Sequence, residues 1–124
     1  MNKAERRRRL ARTFEKYIRL GLYDTSLDVF DICQRIRMSC VTAGSARDLF
    51  AVWELIRMLR AEGKREELRI FCEIYHSSSR SKMYGGCIKD AVIASSMKHF
   101  CDERTVYRKL AYVEKRYEQI RSGI

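Results

Sequence analysis

Proline is absent from the whole chain, and this restricts the fold more than any motif does. Proline is the residue that most reliably interrupts a helix, because it lacks an N–H and clashes with the preceding turn. Without it helices are free to run, and glycine is left as the main punctuation. Apolar residues recur close to every 3.6 positions along most of the chain, the spacing of a one-sided helical stripe. A chain of 124 residues, 46% of them hydrophobic, has enough apolar material for a packed core and the size of one domain. The expected fold class is all-α, with about six helices.

The first helix is expected over Lys3 to Leu20, with Leu10, Phe14, Tyr17 and Ile18 on one stripe and Gly21 ending it. The second runs from Ser26 to about Thr42, capped by Thr25 or Ser26. Its stripe is Leu27, Phe30, Cys33 and Ile36, and Gly44 follows it. Ser45-Ala46-Arg47-Asp48 resembles a capping box with Asp in place of Glu and would start the third helix. Leu49, Val52, Trp53, Ile56 and Leu59 then face inward, and Gly63 closes that helix. The fourth, Arg65 to about Tyr75, buries Leu68, Phe71, Cys72 and Tyr75, with Glu66 and Glu67 at its positive end. His76 to Ser81 is polar, and with Gly85 and Gly86 it marks a boundary. A fifth helix spans Cys87 to Lys98, and the last starts at Glu103.

Lys and Arg number 26 against 16 Asp and Glu, a net charge of +10. Residues 1–24 hold eight basic and three acidic side chains, net +5; 25–75 hold eight of each; 76–124 hold ten and five, again net +5. A neutral middle with two basic ends points to a polyanionic partner, nucleic acid ahead of a membrane surface. The five cysteines (33, 40, 72, 87, 101) are odd in number and lack disulfide-framework spacing, which fits reduced thiols in the cytoplasm. No apolar stretch follows the charges of MNKAERRRRL, so it does not read as a signal peptide, and no window has the apolar length of a membrane span.

Cys72, His76, Cys87, His99 and Cys101 include no Cys-x-x-Cys pair, so no metal or other cofactor is expected. His76 and His99 stand beside no nucleophile motif. Gly85-Gly86 lacks the frame of a phosphate-cradling loop. The chain does not read as an enzyme.

The C-terminal segment carries the most specific pattern. The Asp102 carboxylate can accept from the N–H of Arg104 or Thr105, and Glu103 adds negative charge in the first turn. Val106, Leu110, Val113, Tyr117 and Ile120 follow at steps of 4, 3, 4 and 3. The other side carries Glu103, Arg104, Tyr107, Arg108, Tyr112, Lys115 and Arg116. Such a face suits a DNA groove, since Arg bridges guanine acceptors or holds phosphate and Tyr donates to phosphate. A solvated amphipathic helix packed on its neighbours would carry the same composition.

Asp102-Glu103-Arg104-Thr105-Val106-Tyr107-Arg108 resembles the start of the second helix in the helix-turn-helix of sigma-factor region 4, with Val106 in the buried slot. The wider chain resembles small prophage regulators of the ArpU/RinA type. The specific match covers Gly86 to Ile120; over residues 1–80 it is only one of size, helicity and charge. The resemblance implies a sequence-specific, double-stranded DNA-binding transcription regulator of phage or mobile-element origin, with the final helix in the major groove. Residues 64–124 would be the helix-turn-helix region and 1–63 a helical scaffold or oligomerisation region. Arg104, Thr105, Tyr107, Arg108, Tyr112 and Lys115 would touch DNA, and Lys89 and Lys98 would add phosphate contacts.

Two registers fit the motif. One puts Ser96 in its small-residue slot and Phe100 in its glycine slot. The other uses Ala94, buries Met97 and needs a turn about two residues longer. The alternative functions are a helical protein–protein module docking on RNA polymerase, or a phage packaging or recombination accessory factor. A symmetric operator would require a homodimer, for which the second and third helices supply apolar surface. Arg6 to Arg9 offer either a second phosphate-binding surface or a solvated helix start.

Overall fold

Two glycines turn the chain where a side chain would resist. Gly21 and Gly63 have φ of 71° and 73°, in the left-handed region that costs other residues roughly 1–2 kcal/mol. At Gly63 the Lys64 N–H donates to the Leu59 carbonyl (2.9 Å) and the Gly63 N–H to that of Arg60 (3.2 Å), closing a Schellman motif. Gly21 repeats it, with Leu22 N–H on Tyr17 O and Gly21 N–H on Ile18 O.

The computed structural model describes residues 2–39, 42–80 and 87–123, the side chains at 77–80 and 87 excepted. It is all-helical: α1 (Lys3–Arg19), α2 (Val29–Ser39), α3 (Ala43–Ala61), α4 (Arg65–Arg80), α5 (Cys87–Lys98) and α6 (Glu103–Ser122), with no strand among the described residues. None of these helices is long and apolar enough to cross a membrane.

α3 and α4 form the centre, each packing on both α1 and α6; α5 lies on α4 and α6, and α2 on α3. One buried cluster takes residues from both sides of residue 63, among them Leu10, Phe14 and Tyr17 of α1, Leu55 and Leu59 of α3, Phe71 and Ile74 of α4, and Val106 and Leu110 of α6. Burying each such side chain stabilises by about 1.5–3 kcal/mol. Phe14 meets Phe71 edge-on at 5.3 Å between ring centroids, and Phe71 sits 4.9 Å from Tyr75.

The structure departs from the sequence expectations in four places. α2 starts at Val29, and the residues it buries are Ile32 and Ile36, while Phe30 is 70% exposed. The expected stripe of Leu27, Phe30, Cys33 and Ile36 advances by threes, drifting about 60° around the helix at each step, so it cannot stay on one face. α4 runs on to Arg80 through the polar residues expected to leave it, since serine only mildly disfavours a helix and no Gly or Pro intervenes. The expected boundary glycines, 85 and 86, lie outside the described residues. α3 is capped by Thr42, whose side chain accepts from the Ser45 N–H at 3.1 Å, so Ser45 sits inside the helix. Asp48, the would-be partner of that box, is buried and bonded elsewhere. Trp53, expected inward, packs against the core but stays half-buried, with the Arg57 guanidinium 5.9 Å from its ring centroid.

Candidate nucleic-acid interface

α5 and α6 are joined by four residues, 99–102, the connection length of a helix-turn-helix. Asp102 caps α6 as its position dictates: its carboxylate accepts from the Thr105 N–H at 2.7 Å. The backbone and side-chain hydrogen bonds of Thr105, helped by the charges of Arg104 and Arg108, hold that carboxyl below the ordinary aspartate value.

The turn adopts the first of the two registers. Ser96 is buried with its hydroxyl donating to the Ile93 carbonyl at 2.8 Å, while Ala94 and Met97 are exposed. Phe100 takes the glycine slot. Its φ is 53°, the one positive value at a non-glycine among the described residues, and its side chain is 97% exposed. Cys101 N–H donates to Ser96 O at 3.1 Å, so this turn has the long hydrogen bond seen at Gly21 and Gly63, with a phenylalanine in the left-handed position.

The seam of α6 is buried as the 4-3-4-3 spacing requires: Val106, Leu110, Val113 and Tyr117 are each at most 3% exposed. The Tyr117 hydroxyl is buried with no hydrogen-bond partner among the described residues. Opposite the seam lie Arg104, Arg108, Ala111 and Lys115, all exposed. At about 100° per residue the three cations fall within about 40° of one another, and among the described residues none of them is ion-paired. Arg104 to Lys115 covers roughly 16 Å along the axis, at about 1.5 Å per residue.

The remaining expected contacts divide. Thr105, Tyr107 and Tyr112 sit on the shoulders of α6, half-buried, and both tyrosines pack against the core. Tyr112 is occupied further: Arg116 donates to its hydroxyl at 3.2 Å and the Lys64 ammonium lies 5.6 Å from its ring centroid. Arg116, counted on the outer face, pairs with Glu62 at 2.6 Å. Nine positions, about 180° of helix, separate Lys89 from Lys98. These two exposed lysines therefore lie on opposite sides of α5. Lys98 and His99 both face Glu73, at 3.2 and 2.9 Å. Partial burial raises the Glu73 pKa, but the hydrogen bonds with His99 and Lys98 outweigh it and the carboxyl ends below its ordinary value.

Internal ion pairs fix α6 in place. Glu114 accepts two hydrogen bonds from Arg7 (2.8 and 3.1 Å) and one from the Tyr75 hydroxyl (2.5 Å). Burial, then the neighbouring Glu114 charge, pushes the Tyr75 phenol well above its ordinary value. Asp48 is gripped by Arg9 of α1 at 3.0 Å and Arg121 of α6 at 2.6 Å. Lys109 pairs with Glu66 of α4. Of the arginine run, then, Arg7 and Arg9 hold the fold together, whereas Arg6 and Arg8 are exposed. These pairings join residues 39 to 107 positions apart, and helix periodicity gives no sign of them. The α1 cap was within reach of the sequence: Asn2, three residues before Glu5, accepts the Glu5 N–H and donates to its carboxylate.

Among the described residues no group of three or more Cys, His, Asp or Glu is placed to hold a metal. Cys72 lies 3.7 Å from the Tyr23 hydroxyl, and burial pushes its thiol up to about 11. Compared with protein-family models, curated proteins and solved structures, the chain matches none of them.

Proposed function

We propose that this protein is a sequence-specific, double-stranded DNA-binding transcription regulator of prophage or mobile-element type, acting in the cytoplasm and reading the major groove with α6. The observation that carries the reading is the row of cations Arg104, Arg108 and Lys115, with no ion pair among the described residues, on a helix otherwise fixed on three sides. With the helix held in place, only the side chains remain to be ordered when a guanidinium meets guanine or phosphate. The capped four-residue turn and the resemblance of 102–108 to a sigma-like recognition helix point the same way. Tyr107 and Tyr112, packed on the shoulders, are left to contact phosphates at the groove edge.

The test is a mobility-shift titration on random duplex at two salt concentrations, followed by selection of bound sequences from a random pool. Binding should weaken steeply with salt as counterions are released. Arg104→Ala/Arg108→Ala should lose roughly 1–3 kcal/mol for each arginine that reads a base. Unchanged affinity in the double variant overturns the reading.

A second reading, a helical adaptor docking on RNA polymerase, is favoured by Met97 and Phe100, 72% and 97% exposed at the turn. An adaptor of that kind shows little binding to random duplex at either salt concentration. If the selected site is a palindrome, a homodimer is required, and the exposed Val29, Phe30 and Met38 of α2 are the apolar surface for it.

A further inference from the structure

Two basic features that lie more than a hundred positions apart in the chain share one surface. A cleft of about 340 Å³ runs between the start of α1 and the middle of α6; Lys3, Arg6 and Arg7 line one wall, and Glu114, Lys115 and Glu118 the other. Its floor is apolar, formed by Leu10, Tyr75 and Ala111. Four cations against two carboxylates leave the cleft at net +2. The inner charges cancel, because Arg7 holds Glu114 in a two-bond pair. Lys3, Arg6 and Lys115 are exposed, and among the described residues none of them is ion-paired. Lys115 is also the last cation of the α6 row, so Lys3 and Arg6 extend that row sideways onto α1.

We infer that Lys3 and Arg6 are phosphate-contacting residues, and that α1 holds the backbone of the same duplex whose groove α6 enters. This inference rests on the DNA-binding reading. The major groove is about 12 Å wide, so a helix seated in it has a phosphate strand along each flank. The cleft is the flank of α6 that carries positive charge from another element. Arg7 does not contact DNA: it is locked on Glu114 and positions α1 against α6. Phosphate contacts carry no sequence information, so α1 adds affinity and fixes orientation while α6 supplies selectivity.

The opposite face of α1 provides the control. Arg8 and Arg12 are equally exposed, but lie about 140–180° around the helix from Lys3. Duplex binding is titrated against salt for the wild-type chain, Lys3→Ala/Arg6→Ala, the charge-keeping Lys3→Arg/Arg6→Lys, and Arg8→Ala/Arg12→Ala. Each lost phosphate contact lowers the slope of log K against log salt by about 0.9. The Lys3→Ala/Arg6→Ala variant should therefore lose 1 to 2 units of slope, with the same order of preference among sequences. The charge-keeping variant and the Arg8→Ala/Arg12→Ala variant should keep the wild-type slope. An unchanged slope in Lys3→Ala/Arg6→Ala, or an equal loss in Arg8→Ala/Arg12→Ala, overturns the inference while leaving α6 as the reader. A wild-type chain that does not bind duplex overturns both. All four sites are exposed, and thermal melts of each variant confirm that folding is unaffected.

Discussion

α6 and α2 both lie against α3, and both bury one face, yet the molecule treats them differently. α6 packs on α3, α4 and α5, and ion pairs from Glu114, Asp48, Glu62 and Glu66 fix its shoulders. α2 packs on α3 and buries Ile32 and Ile36, leaving Val29, Phe30 and Met38 in solvent. A helix that presents side chains to a rigid polymer gains from being held in one orientation, since ordering costs are then met in folding rather than in binding. A helix packed on one neighbour, with two side-chain hydrogen bonds to the end of α1 (Lys16 to the Ser39 carbonyl, Arg35 to the Leu20 carbonyl), opens locally at lower cost. The contrast marks α6 as a fixed platform and α2 as a peripheral element.

The strongest way to break this comparison is core truncation. Leu110→Ala, at a fully buried position in α6, should cost about 2–5 kcal/mol of global stability. Ile36→Ala is equally shielded, but because α2 can settle onto α3 or come away alone, it should cost no more than about half as much. Urea midpoints read both, and equal losses would abolish the distinction. Native-state hydrogen exchange sharpens the same point. Amides of α2 should exchange through local opening, at protection about 2 kcal/mol or more below those of α6, which should exchange only on global unfolding. The smallest effect concerns the turn that sets the angle of α6. Phe100→Gly removes a left-handed backbone cost and almost no packing, so it should stabilise the fold by about 0.5–1 kcal/mol. A loss of stability in thermal melts would show that the exposed ring contributes packing that its 97% exposure does not suggest.

The sequence placed α5 near its observed bounds and α6 at its observed start, and for α6 the signals are local. Asp102 bonds its own helix, and the Val106–Tyr117 seam keeps to one side of it. Local signals also misled. Ser45 and Asp48 have the spacing of a capping box, but Thr42 reached the free N–H groups first. That left Asp48 to meet Arg9 and Arg121, partners that no window around it contains. The serines after His76 look like a linker, but a helix ends at a residue that resists its geometry, and none stands there. The site was half legible: Arg104, Arg108 and Lys115 follow from the wheel opposite the seam. Tyr107 and Tyr112 were placed outward because their neighbours, Arg7 on α1 and Lys64 in the turn after α3, could not be foreseen. Arg6 stood in a run already offered as a phosphate-binding surface, but only folding brings it and Lys3 to the cleft beside Lys115.

The Asp48 carboxylate has a mechanical consequence. It holds Arg9 near the beginning of the chain and Arg121 near its end at once, and with the Arg7–Glu114 pair it closes the polypeptide into a loop. Tension applied between the two termini meets these ion pairs among the first contacts, before the apolar interior is sheared. Neutralising this one carboxylate, Asp48, therefore releases its hold on both ends at once.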